Sequence, residues 1–178
     1  MKTFYSERLF MRKLNPEDVT AEMSLWFADN ELMRYYTNSK KVITIESIKN
    51  SIIEGANSGT LFTYGIFFKE NAKLIGTIKI GPINLHHKIS DLVVLIGDTA
   101  YHGKGLAIEA IKLGNQIAFD EYDLRKLFGG MYESNTSSIK AYTRAGWVIE
   151  GKLKGHYLVD GQPQDRILVG CFNPKYFK

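Results

Sequence analysis

The sequence predicts a mixed α/β (α+β) fold, a sheet with helices on its faces, and three observations carry that expectation. Leu92-Val93-Val94-Leu95-Ile96 is an apolar run without alternation, the pattern of a strand covered on both faces at the centre of a sheet. Between Gly105 and Tyr122 the period changes: Ala107, Ala110, Ile111, Gly114, Ile117 and Ala118 recur at three- and four-residue steps, one face of an amphipathic helix. A further strand, Lys126 to Met131, follows, and strand–helix–strand at this spacing is a parallel crossover, expected to be right-handed.

The remaining elements follow in chain order. An alternating stretch from Phe4 through Leu9 to Leu14 reads as an opening strand. Asn15 and Pro16 supply a helix cap and a first helical position, so short helices are expected over 16–35. A helix from Thr44 to Ala56 is ended by Asn57-Ser58-Gly59. Leu61 to Phe68 and Lys73 to Gly81 read as paired strands around the polar turn Lys69-Glu70-Asn71-Ala72. Beyond the crossover, Asn135 to Ala145 is a short helix with Gly146 in place for a left-handed cap. Two strands, Trp147–Val159 and Arg166–Phe172, close the chain through a turn at Asp160-Gly161.

At 178 residues the chain fits one domain spanning 1–178, since domains commonly hold about 100–200 residues. The net charge of +4 leans basic, but Lys and Arg are scattered, with none of the blocks that mark a nucleic-acid arm. Cys171 is the only cysteine, which excludes an internal disulfide and a four-cysteine zinc site and suits a reducing, cytoplasmic compartment. Charged residues in the first eight positions interrupt any signal-peptide core, and no apolar run nears the ~18 residues of a membrane helix. Neither a nucleic acid nor a membrane is an expected partner, and no metal is expected: adjacent His86 and His87 would point to opposite faces of a strand.

Chemistry concentrates in the segment Gly97-Asp98-Thr99-Ala100-Tyr101-His102-Gly103-Lys104-Gly105-Leu106-Ala107, which links the central strand to the longest helix. Glycines turn tightly and leave amides uncovered, and amides at a helix N-terminus make an anion cradle suited to phosphate or pyrophosphate. The Walker pattern fails here, because five residues separate Gly97 from Gly103 and Gly105 replaces the hydroxyl residue. The dinucleotide pattern fails at Ile108. A purely structural turn is the competing reading.

Tyr101-His102-Gly103-Lys104-Gly105-Leu106-Ala107 with Glu109-Ala110 resembles the coenzyme-A-binding signature of the GNAT acetyltransferase superfamily. The likeness is narrower to the branch of ribosomal-protein N-terminal and spermidine acetyltransferases, through Ser6-Glu7-Arg8-Leu9, Asn135 to Tyr142 with Gly146-Trp147, and Glu150-Gly151-Lys152-Leu153 with Asp165. His102 departs from the Gln or Arg usual at its position, and Lys154 stands where Arg is frequent. The resemblance implies a mostly antiparallel sheet with a splayed central parallel strand pair and helices on both faces. It also implies acetyl-CoA as cosubstrate, its pantetheine arm paired to main-chain groups of Val94, Leu95 and Ile96. The pyrophosphate would lie on residues His102, Gly103, Lys104, Gly105, Leu106 and Ala107, with Asn135 and Ser138 on the other side.

Transfer to a primary amine by direct attack needs a base, because an alkylamine of pKa about 10.4 is largely protonated at neutral pH. It needs oxyanion donors, and the departing thiolate gains from an acid. The resemblance makes Tyr142 the acid, with a packed core tyrosine as the plain alternative. Asp91 is the expected base, through a water, with a solvated strand-end carboxylate as the competing reading, and Glu133 is the second choice. The acceptor wall is expected from about residue 25 to 45 and the last hairpin, with Arg34, Tyr35, Tyr36, His156 and Asp165 as candidates; for Asp165 a turn-supporting role competes. The acceptor is open between a protein N-terminus, a polyamine or small amine, and an amino sugar, with the basic and aromatic wall suiting a phosphorylated sugar better than a polycation. A homodimer is compatible with this reading, as is a non-catalytic acyl-CoA-binding or partner-binding module on the same fold.

Overall fold

The computed structural model describes residues 2–36 and 43–177. The strands are β1 (Thr3–Tyr5), β2 (Leu9–Lys13), β3 (Phe62–Phe68), β4 (Lys73–Ile80), β5 (Ile89–Ile96), β6 (Lys126–Tyr132), β7 (Val148–Val159) and β8 (Gln162–Phe172). The α-helices are α1 (Ala21–Ala28), α2 (Ile45–Ser58), α3 (Leu106–Tyr122) and α4 (Thr136–Arg144). The strands form one eight-stranded sheet in the order β1-β2-β3-β4-β5-β6-β8-β7. Every described pair is antiparallel except β5 with β6.

Local signals set most boundaries. Thr44 caps α2 by accepting the Ser47 amide at 3.1 Å, and Gly59 ends it at φ +67°. Asp160 and Gly161 both take positive φ, 51° and 76°, the tight turn whose twist suits a long hairpin. That turn lets β8 begin at Gln162, four residues earlier than Arg166. Pairing with β7 supplies the missing ladder, so the polar Gln162 and Gln164 join the strand despite lacking an apolar pattern.

The opening stretch departs from the expectation of one strand. It is a hairpin, β1 against β2, because the Ser6 amide turns back to the Leu9 carbonyl at 2.9 Å. Alternation survives such a turn, so the pattern alone does not reveal it. Residues 16–35 are also less helical than expected. Pro16–Asp18 makes a single 3-10 turn, since the Asp18 carboxylate is taken by Arg12 at 2.6 Å on both oxygens. Only α1 follows.

Two apolar layers cover the sheet. On β2, Leu9 and Met11 face the layer that includes Ile111 and Ile117 of α3, whereas Phe10 packs in the layer with Trp26 of α1 and Ile52 of α2. Helices therefore lie on both faces. β5 is less covered than its apolar run predicts: Leu92, Leu95 and Ile96 are buried, but Val93 and Val94 are only half-buried. The cause is a gap in the sheet beside them.

Candidate active site

β5 and β6 pair only at Ile89–Lys126, Ser90–Leu127 and Asp91–Phe128, and beyond this the ladder ends. β4 meanwhile holds the other edge of β5 as far as Ile96. Strand alternation then aims the main-chain groups of Leu92, Val94 and Ile96 into the gap and those of Val93 and Leu95 back toward β4. Such groups need partners. Tyr142 supplies two: its hydroxyl donates to the Leu92 carbonyl at 2.9 Å and accepts the Val94 amide at 3.3 Å. The Ile96 carbonyl meets the His102 ring Nε2 at 2.8 Å.

Helix α4 carries Tyr142 inward, where its ring meets Trp147 edge-on at 4.8 Å. Trp147 is fixed in turn, donating from its indole to Asn115 Oδ1 at 3.0 Å, while Asn115 donates to the Ala145 carbonyl at 3.2 Å. This buried brace orients the tyrosine. Burial also raises the Tyr142 pKa far above that of free tyrosine, so the hydroxyl keeps its proton.

The loop after β5 is held from outside and open within. Asp98 accepts the Ala100 amide at 3.0 Å and an ion pair from Lys73 at 2.7 Å. Gly103 and Gly105 adopt φ +72° and +74°, and a Cβ on Gly103 would meet nothing within 4 Å. Among the described residues, no loop or turn carbonyl accepts an amide from 103 to 107. The first amides of α3 lack partners within the helix and strengthen the positive end of its dipole. Arg8 takes the Lys104 carbonyl from behind at 2.9 Å. Glu109 anchors that arginine, accepting from its amide at 2.6 Å and its Nε at 2.8 Å, and from the Ser6 hydroxyl at 2.8 Å. Burial works to raise the Glu109 pKa, but these bonds together lower it. Carbonyls are thus tied down and amides left free, which is what an anion requires.

Asp91 stands where β5 and β6 part, and a Cβ on Gly129 would lie 3.7 Å from its Oδ1. Burial raises its pKa, partly offset by the Leu92 amide and the charge of Arg166. Burial raises the Tyr36 pKa as it does that of Tyr142, to which the Asp91 charge adds. Glu133 is exposed and paired with Lys152 at 2.8 Å. Asp165 is occupied: one oxygen accepts the Gly155 amide at 2.8 Å and the other pairs with Lys152 at 2.8 Å, which together lower its pKa. The competing, turn-supporting role is the one its contacts describe. Arg34 is exposed and 3.8 Å from Asp160, while the Tyr35 hydroxyl reaches the Ser134 carbonyl at 3.3 Å.

The GNAT acetyltransferase domain model matches residues 8–148, most of the chain and all of the loop and gap just described. The chain belongs to the GNAT acetyltransferase family. It is an N-acetyltransferase with acetyl-CoA as cosubstrate. It is 23% identical to a probable N-acetyltransferase of Bacillus subtilis (strain 168) over 93% of this chain and 94% of the relative. The crystal structure of spermidine N-acetyltransferase from Vibrio cholerae in complex with CoA and spermine superposes with a TM-score of 0.84 at 19% identity, covering 97% of this chain and 100% of that one. Ribosomal-protein-S5-alanine acetyltransferase from Vibrio fischeri gives 0.83 at 22% identity, with 100% of both chains covered. The last two share the fold.

Within this acetyltransferase Tyr142 and Asp91 stand where β5 and β6 part, and the amides of Gly103 to Ala107 lie at the start of α3. Leu95 turns its main chain away from the gap. His102 holds the end of β5, and Asn135 caps α4 by accepting the Ser138 amide at 3.2 Å. Of the expected acceptor wall, residues 37–42 lie outside the described residues. Around Tyr35 and His156 the structure gathers residues that the pattern did not single out. Tyr132 stacks on Tyr157 at 4.0 Å and meets Tyr35 at 5.5 Å, His156 lies against Tyr157 at 5.2 Å, and the Arg166 guanidinium covers Tyr157 at 5.6 Å. One signal for this was available. Gly129-Gly130 inside a strand marks close approach, and a Cβ on Gly130 would overlap Arg166.

Proposed function

We propose that this enzyme moves the acetyl group directly from acetyl-CoA to a primary amine, with Asp91 as base and Tyr142 as acid. The observation that carries this reading is their shared opening: a carboxylate with raised pKa and a protonated tyrosine flank the point where β5 and β6 separate. Asp91, acting through a water, takes the proton of the ammonium. The nitrogen lone pair forms the new N–C bond, and the Val94 amide, already aimed into the gap, is the nearest donor for the oxyanion. The C–S bond then breaks, the thiolate takes the Tyr142 proton, and the second proton shed by the new amide nitrogen restores the tyrosine hydroxyl. The amides from Gly103 to Ala107 are suited to the pyrophosphate.

The reading is tested by thiol release from acetyl-CoA with a panel of amines. Turnover is expected with at least one amine and is expected to fall in Tyr142→Phe and Asp91→Asn while coenzyme A still binds. Retained turnover in both variants refutes the assignment. We further place the enzyme in the cytoplasm, where its buried free thiol, Cys171, stays reduced. A homodimer is supported by Val148, Ile149 and Leu153, exposed on edge strand β7, and light scattering at the mass of one chain would refute it.

A further inference from the structure

The face of the sheet that bears Asp91 also bears two cations that the chemistry above leaves unused. Lys79 on β4 pairs with Val93 of β5, two residues along from Asp91. Alternation sets Lys79, Val93 and Asp91 on one face, with Lys79 the diagonal neighbour of Asp91, roughly 7–8 Å across the ladder. Lys79 lines a cavity of about 350 Å³ between the sheet and helices α1 and α2. Ser51, Thr63 and Thr77 line the same cavity, so hydroxyls stand beside the ammonium. Among the described residues Lys79 has no hydrogen bond or ion pair, and burial alone lowers its pKa.

Arg166 lies on the opposite flank. Its guanidinium sits over Gly130, its Nε is buried without a hydrogen-bond partner among the described residues, and its Nη1 comes no closer than 3.4 Å to His156 Nε2. Two cations half-removed from water, neither in an ion pair among the described residues and with only the Asp91 charge near them, are costly to hold. An anionic ligand returns that cost. A polyamine would add positive charge between them.

We propose that the acceptor is an amine that also carries an anionic group, a carboxylate or a phosphate, and that Lys79 receives this group in the hydroxyl-lined cavity while Arg166 guards the other flank against polycations. The proposal rests on the transferase reading above and adds its substrate class. The amine would sit at Asp91, next to the acetyl group, and the anion one strand away. Apart from Ser47, the cavity's remaining wall is apolar, with Met23, Phe27, Ile48 and Ile52 from α1 and α2, and suits the carbon skeleton between them.

The test is a matched acceptor series: 4-aminobutyrate, butylamine and 1,4-diaminobutane, with O-phosphoethanolamine against ethanolamine. In the wild type the anionic members are expected to have kcat/KM at least tenfold above their partners, and the better of the two anions identifies the group. Lys79→Gln is expected to erase that gap through a raised KM for the anionic amines, and Lys79→Glu to shift preference toward the diamine. A wild type that favours the diamine, or a Lys79→Gln enzyme that keeps the preference, overturns the proposal. A second measurement needs no turnover: calorimetric titration of inorganic phosphate into wild type and Lys79→Gln. The loop amides contribute equally to both, so weaker binding in the variant supports the cavity and equal binding overturns it. Thiol release absent with every amine, beside a phosphate difference, would refute the transferase reading alone.

Discussion

Replacing Tyr142 by Phe removes one oxygen and separates two roles of the residue. The hydroxyl satisfies the Leu92 carbonyl at 2.9 Å and, less well, the Val94 amide at 3.3 Å, inside a residue only 4% exposed. An unsatisfied buried group costs about 1–3 kcal/mol. Here the orphaned groups line a gap that water can enter, and one bond is long, so the expected loss is about 1–2 kcal/mol. For a chain of this length that lowers Tm by about 2–8 °C, measurable by thermal unfolding. Loss of a positioned acid costs about 10²–10⁴-fold in rate, so kcat is expected to fall by at least about 10²-fold. Coenzyme A affinity by calorimetry is expected to stay within a few-fold, because the amides from 103 to 107 are untouched. The outcome that refutes the reasoning is a kcat within twofold of wild type alongside the lowered Tm. Tyr142 would then be a core tyrosine that satisfies a strand and nothing more.

Further expectations follow from the same geometry. A base must be deprotonated to act, so wild-type kcat/KM is expected to fall on the acid side through a pKa above the usual carboxylate range, and Asp91→Asn to lose that limb with most of its rate. The raised folded-state pKa also means that wild type loses stability as pH climbs through the interval between the ordinary and the raised value. Asp91→Asn is therefore expected to melt above wild type at neutral pH and to match it in acid, and a lower Tm at neutral pH would count against the buried charge. Glu109→Gln removes the charge that anchors Ser6 and Arg8; Arg8 is partly exposed, so about 1–3 kcal/mol is expected, with weaker coenzyme A binding as the Lys104 carbonyl is released. Gly130→Ala pushes aside a flexible side-chain end rather than backbone, so the fold is expected to survive while acceptor KM changes and coenzyme A affinity does not. A structure of that variant with Arg166 unmoved would contradict this.

Much of this enzyme is legible along the chain. The period of α3, the Thr44 and Gly59 ends of α2, the Asp160-Gly161 turn and the glycine loop are set by residues within a few positions of one another, so composition and spacing carry them. The loop also announced its ligand class, because uncovered amides before a helix are a local property. What stayed hidden depends on partners distant in sequence. The turn after β1 is held by Glu109, and Asp165 is claimed by Lys152. Lys79 reads as an ordinary outward lysine in an alternating strand, and only helices α1 and α2, folding over that face, make it a half-buried cation near Asp91. Sequence alone decided most of the elements and the glycine loop. Tertiary structure decided which charges are satisfied and which are left for a ligand, since desolvation and pairing depend on everything packed around a group and not on its neighbours along the chain.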